Sequence, residues 1–132
     1  MASEMAVAWV ESGQRPAVRK GSVRPVDLVY LSRFTLGERA LEREVLELFC
    51  TQSFVYLERL NQAQSDKDWK DAAHSLKGSA RAIGAWRTAE AAERAEALSV
   101  ADLPSARALS LREVESSLTE AKTYIGSLLK DR

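Results

Sequence analysis

From Val26 to Leu103 the chain contains no proline, whereas Pro16 and Pro25, with Gly13 and Gly21, punctuate the first 25 residues. A proline inside a helix removes a backbone donor and clashes with the preceding turn, so a proline-free stretch of this length is permissive for long helices. β-branched residues are sparse beyond residue 35, no alternating strand pattern occurs, and Ala, Leu, Glu, Arg and Lys dominate. These are the residues that lose least on entering a helix. The expected division is a flexible arm over residues 1–24 and one all-α domain over residues 25–132. A length of 132 residues suits a single core.

The apolar spacing resolves that domain into helices. A short helix is predicted from Asp27, as cap, to Phe34. Thr35 and Glu38 have capping-box spacing, which predicts a long helix over Leu36 to Gln62. Its predicted core stripe is Leu41, Val45, Leu48, Phe49 and Val55. Leu46, Cys50, Phe54 and Leu57 form a second stripe, either covered by Leu28 and Leu31 of the first helix or partly exposed as a docking patch. Ser65 or Asp66 caps a third helix to about Ala82, and Ile83-Gly84 supplies a turn with a glycine able to take positive φ. A fourth helix runs from Trp86 to Ser99. Asp102 and Pro104 open a fifth with the stripe Leu111, Val114, Leu118, Ala121, Ile125 and Leu128. Connections this short make successive helices antiparallel. The expected architecture is an antiparallel four-helix bundle with a short additional N-terminal helix.

Several function classes are excluded by what the chain lacks. Nineteen Lys and Arg balance nineteen Asp and Glu, which leaves no general electrostatic drive toward nucleic acid or anionic membranes. One cysteine and one histidine give no intramolecular disulfide and no His/Cys metal site. No apolar run approaches the ~20 residues of a membrane span, and Glu4 sits where a secretory signal carries Lys or Arg. A cytoplasmic protein with no intrinsic metal is expected. Histidine chemistry, if present, belongs to His74.

On a helical wheel with His74 at zero, Trp69, Ala72, Ala73, Leu76, Ala80 and Ile83 fall between about 160° and 260°. That arc is the predicted buried face, so His74 points outward with Lys67, Lys70, Asp71, Lys77, Gly78 and Arg81. Lys77 lies one turn from the imidazole, near enough to share a bound anion. Gly78 at i+4 costs about 1 kcal/mol relative to Ala and so needs a reason, and access for another surface is one.

The segment His74-Ser75-Leu76-Lys77-Gly78-Ser79-Ala80 resembles the H-x-L-K-G-[SA]-[SA] signature of histidine-containing phosphotransfer domains of two-component phosphorelays, and Ile83-Gly84-Ala85 resembles the turn that follows it. The resemblance covers about four-fifths of the chain and leaves residues 1–24 without a role. It implies a carrier without ATP-dependent kinase activity, expected as a monomer. His74 would accept a phosphoryl group from a receiver-domain phosphoaspartate and pass it to another receiver aspartate. The partners would be receiver domains of a hybrid sensor histidine kinase or of response regulators, with Mg²⁺ on the receiver. Lys77 would offset phosphoryl charge, Gly78 would give access, and Lys70, Ser75 and Arg81 would contact the receiver.

One imidazole nitrogen needs a partner to fix which nitrogen attacks. A turn about residues 84 to 85 makes facing positions sum to about 169, which brings Glu93 and Glu96 near His74, and Glu96 is the better match. The competing reading makes Glu90, Glu93 and Glu96 a solvated acidic face. A histidine-kinase dimerisation helix is disfavoured because Ser75, not an acidic residue, follows His74 and no proline comes before Pro104. A helical adaptor acting through its apolar surface remains the alternative.

Overall fold

The computed structural model describes residues 24–99 and 104–130. Within them the chain forms α1 (Leu28–Thr35), α2 (Arg39–Gln62), α3 (Asp66–Ile83), α4 (Trp86–Glu96) and α5 (Pro104–Lys130), with no strand among the described residues. The reading of residues 1–24 as an arm and of Asp102 as a helix opener falls almost wholly outside the described residues.

Helices α2 to α5 close a ring in which α2 touches α3 and α5, and α4 touches α3 and α5. Their polar contacts fix the directions. Arg87 and Arg94 of α4 pair with Glu120 and Glu113 of α5, so rising numbers on one helix meet falling numbers on the other. Arg43 donates to the Leu129 carbonyl while Lys122 lies over the Phe54 ring, which makes α2 and α5 antiparallel as well. No helix among the described residues is long and apolar enough to cross a membrane.

The helix ends follow local chemistry. Asp27 caps α1 by accepting from the Tyr30 N–H at 3.0 Å, and the Ser65 hydroxyl caps α3 by accepting from the Asp68 N–H at 3.1 Å. The capping box expected at Thr35 and Glu38 does not form. Thr35 is the last residue of α1, and Glu38 makes no side-chain cap bond. Leu36 and Gly37 both take left-handed backbone, and the Leu36 N–H closes α1 on the Ser32 carbonyl at 2.8 Å. Thr35 is thereby turned inward, its hydroxyl donating to Glu42 Oε2 at 3.3 Å. Helix α4 stops at Glu96 rather than Ser99. Its closing turn tightens at Leu98, whose N–H reaches the Ala95 carbonyl three residues back at 3.1 Å, and the Lys70 ammonium takes the carbonyls of Glu96 and Leu98.

The buried row of α2 differs from the expected one. Glu42, Leu46, Phe49, Ser53 and Leu60 face inward, whereas Leu48 and Val55 are exposed. Two polar members hide this row from a hydrophobicity pattern: Glu42, partnered by Thr35, and Ser53, whose hydroxyl donates to the Cys50 carbonyl. The second stripe is divided. Leu46 packs with Leu31 and Phe49, Cys50 and Leu57 are partly buried against that core, and Phe54 is exposed.

The α3 to α4 corner is tied to the start of α1. Gly84 takes φ +78 and accepts from the Asp27 N–H at 3.0 Å, and the Trp86 indole donates to Asp27 Oδ2 at 3.2 Å. A Cβ on Gly84 would lie 2.8 Å from the Asp27 Cβ. A Cβ on Gly78, on the body of α3, would meet nothing within 4 Å. The two glycines should therefore respond oppositely to alanine. Gly84→Ala should lose about 1–3 kcal/mol through strain and clash. Gly78→Ala should gain about 0.5–1 kcal/mol, because only the unfolded chain's freedom and helix propensity change. Urea denaturation of both variants checks this, and equal shifts would contradict it.

Candidate functional site

Seven alanines make the site possible. Ala72, Ala73 and Ala80 of α3 and Ala89, Ala91, Ala92 and Ala95 of α4 are all buried, so the helix axes approach closely enough for short polar side chains to bridge them. The seam is stitched along its length. The Trp69 indole donates to the Ala95 carbonyl at 2.6 Å, Lys70 reaches the end of α4, and Arg81 pairs with Glu93 at 3.0 Å. These contacts run in opposite directions along the two helices and set residue 96 opposite residue 74.

His74 stands at that crossing with its side chain 66% exposed. Its Nδ1 lies 2.9 Å from Glu96 Oε2, and the Lys77 ammonium donates to Glu96 Oε1 at 2.5 Å. One carboxylate thus serves two partners, one per oxygen. Burial pushes the Glu96 carboxyl up, but the hydrogen bonds from Lys77 and His74, with the charge of both, outweigh it and hold the group below the ordinary carboxylate range. An ionised carboxylate can only accept, so Nδ1 carries the proton toward Glu96 and the Nε2 lone pair of the neutral ring is left free.

The other residues singled out from sequence are distributed unequally. Lys77 is drawn into the seam, its side chain only 14% exposed, instead of standing beside the open imidazole. Lys70 and Arg81 are also committed, to the α4 carbonyls and to Glu93, so their cations stitch the seam. Glu93 and Glu96 are therefore engaged with α3 and do not form a wholly solvated acidic face. Ser75 and Gly78 line a groove of about 280 Å³ that begins at His74.

The far wall of this groove was not expected from the sequence. Val45, Leu48, Gln52 and Tyr56 of α2 line it, opposite Ser75, Gly78, Ser79 and Ala82 of α3. Val45 and Leu48 were assigned to the core because their spacing is helical, yet Leu48 is 47% exposed. The available signal was that α2 is apolar on two faces. Only the tertiary packing distinguishes the inner face from the one bordering the imidazole.

Comparison with known proteins identifies relatives of the fold and sequence. The family model of the Hpt domain matches residues 44–128, more than half of the chain. The crystal structure of the histidine phosphotransferase ShpA from Caulobacter crescentus is similar, at 33% identity and a TM-score of 0.63, over 81% of this chain and 92% of that one. No curated protein sequence matches.

The Glu96 contacts have a signed consequence for stability. A carboxyl whose folded value lies below its unfolded one, ordinarily 4.5, stabilises the fold fully above that value, and the contribution disappears as pH falls through the folded value. The difference in unfolding free energy between the wild type and Glu96→Gln should therefore be larger at pH 7 than at pH 3. A difference that stayed constant across that range would show that the carboxylate is not held as described.

Proposed function

The chain belongs to the Hpt domain family, and from that premise we propose that it carries phosphoryl groups between receiver domains on Nε2 of His74. The observation that carries this reading is the state of the imidazole ring. It is mostly exposed, while one of its nitrogens is engaged by a buried-side carboxylate. A surface histidine without a role needs no such tether.

The transfer step follows from ordinary chemistry. The lone pair of Nε2 attacks the phosphorus of an aspartyl phosphate on the partner. An N–P bond forms, the P–O bond to the aspartate breaks, and the electron pair leaves on the aspartate carboxylate. The imidazole then carries positive charge, which Glu96 faces through the Nδ1 proton. In the reverse step an aspartate oxygen attacks and the pair returns to Nε2. An acyl phosphate is reactive enough that alignment and charge neutralisation dominate the requirement. Mg²⁺ held by the receiver supplies charge at the phosphoryl oxygens, and no ATP is used by this chain.

The groove gives the receiver a place to rest. Its apolar α2 wall and the side-chain-free Gly78 allow another surface to close over His74. The partner aspartate reaches Nε2 only if it comes within about 3–3.5 Å of it, so bulk at this edge matters. Ser75 lies within the contact area. Lys70 and Arg81 contribute by holding α4 in register more than by offering free charge.

Incubation with a phosphorylated receiver and Mg²⁺ tests the reading. The wild type should gain an acid-labile, base-stable label, identified by NMR as phosphate on Nε2, and His74→Gln should gain none while remaining folded. Acid-labile label on His74→Gln would overturn the assignment. Binding of the receiver without label on the wild type would favour a helical adaptor.

The groove yields a second expectation. Gly78→Gln and Leu48→Asp place bulk or charge at its edge on solvent-accessible positions, so both should remain folded, the glutamine variant with a gain in stability like that of Gly78→Ala. Each should slow transfer from a phospho-receiver by ~10-fold or more, the scale of a misplaced reacting pair. Normal transfer by both folded variants would exclude the groove from docking.

A further inference from the structure

The groove beside His74 leaves apolar surface uncovered. Leu48 on its α2 wall is 47% exposed, and Val45, Tyr56 and Ala82 line it as well. Its volume of about 280 Å³ is small for a ligand pocket and suits a few side chains better than a whole cofactor. The sequence holds a second apolar surface in need of cover. Met5-Ala6-Val7-Ala8-Trp9-Val10 is a run of six apolar residues ahead of the bundle. That is too short for a membrane span or for a helix stable on its own, so its burial has to come from packing on another surface. Of the three tryptophans, Trp69 and Trp86 are already buried in the bundle, and Trp9 belongs to this run.

We propose that the segment Met5 to Val10 seats in this groove of its own chain, with Trp9 as the anchor, and that a receiver has to displace it to reach His74. The inference rests on the reading of the groove as the receiver's docking place and adds the regulation of that site. The point of attachment favours it. Val26 is buried in the same cluster as Ile83, and the Asp27 N–H binds the Gly84 carbonyl at 3.0 Å. His74 and Ile83 are the first and last α3 residues of the groove lining. The segment is therefore tethered at one end of the groove, and His74 marks the other.

Length and charge agree with this occupant. His74 and Ile83 are nine residues apart on α3, a span of about 14 Å. The fourteen residues from Glu11 to Arg24 reach up to about 45 Å when extended, so the segment can turn back and still cover the imidazole. Tethering makes the seating intramolecular, at an effective concentration on the order of mM, and weak intrinsic affinity then suffices. No Asp, Glu, Lys or Arg lines the groove, and Met5 to Val10 carries no charge either. Arg15, Arg19 and Lys20 lie between the segment and the bundle, while Glu44, one turn before Leu48 on α2, is exposed.

Paramagnetic NMR on the full chain locates the segment. A nitroxide on Ser12→Cys, in a Cys50→Ala background that leaves a single thiol, should broaden the amides of Leu48, Gln52, Tyr56 and Gly78. Glu90 and Ser116, on the α4–α5 face across the bundle, should be affected far less. Adding Trp9→Ser should restore the groove signals. In transfer assays Trp9→Ser should lower the receiver concentration for half-maximal rate by ~5-fold, the factor for a groove four-fifths occupied, and leave the rate at saturating receiver unchanged.

Sharp groove signals, or equal broadening on both faces, would overturn the seating. Groove broadening that arises when spin-labelled, unenriched chain is mixed with unlabelled ¹⁵N chain would assign the groove to a second copy and overturn the intramolecular contact. Groove broadening with an unchanged half-maximal receiver concentration in Trp9→Ser would overturn the competition. Absence of phosphoryl label on the wild type would refute the carrier reading, and the NMR comparison would still decide whether the segment occupies the groove.

Discussion

The register between α3 and α4 is the constraint on which the rest of this molecule depends. It is set where Gly84 enters the left-handed region and Asp27 closes over it, since neither the turn nor the contact tolerates a Cβ. From that corner the small faces of the two helices carry the alignment along the seam, through Arg81 with Glu93, Trp69 with the Ala95 carbonyl, and Lys70 with the last carbonyls of α4. A slip of one residue would rotate position 96 by about 100° away from His74. The bridging carboxylate is thus a consequence of a turn some ten residues distant.

Close helix packing also explains how a mostly exposed histidine can be held in one orientation. Ordinary surface ion pairs contribute little because both partners are solvated and free to rotate. Glu96 differs because it sits at the edge of an alanine-lined seam, with His74 on one oxygen and Lys77 on the other. The same seam keeps Lys70, Lys77 and Arg81 of α3 on the α4 side. On its opposite flank the imidazole borders the groove, where α2 presents Val45, Leu48 and Tyr56. The ring is thus tethered to one neighbour of α3 and opens onto a groove shared with the other.

Much of this was legible from the chain. His74, Lys77 and Gly78 share a wheel arc, the short connection at Gly84 brought Glu96 to the facing position, and the family signature supplied a reason to look there. The face of α2 was not legible. Of the expected stripe, Phe49 is buried and Val45 packs at the core's edge, but Leu48 and Val55 are exposed while Glu42 and Ser53 face inward, so a rule that equates apolar with buried misplaces the boundary. Glu42 is acceptable inside because Thr35 reaches it, and Thr35 reaches it because α1 ends in the left-handed turn at Leu36 and Gly37. That turn also replaced the capping box that Thr35 and Glu38 had suggested.

What the sequence by itself determined was the helical content, the corner at Gly84, the outward direction of His74 and the family to which its surroundings belong. These depend on propensity, periodicity and local backbone freedom, which are properties of neighbours along the chain. The tertiary structure alone decided which apolar stripe of α2 became core and which became groove. It also decided that Lys77, Lys70 and Arg81 spend their charge on α4 and not on open solvent. Those outcomes depend on which polar groups find partners across a gap between helices, and a partner 12 to 28 residues away on another helix exerts no influence on the pattern of a single helix.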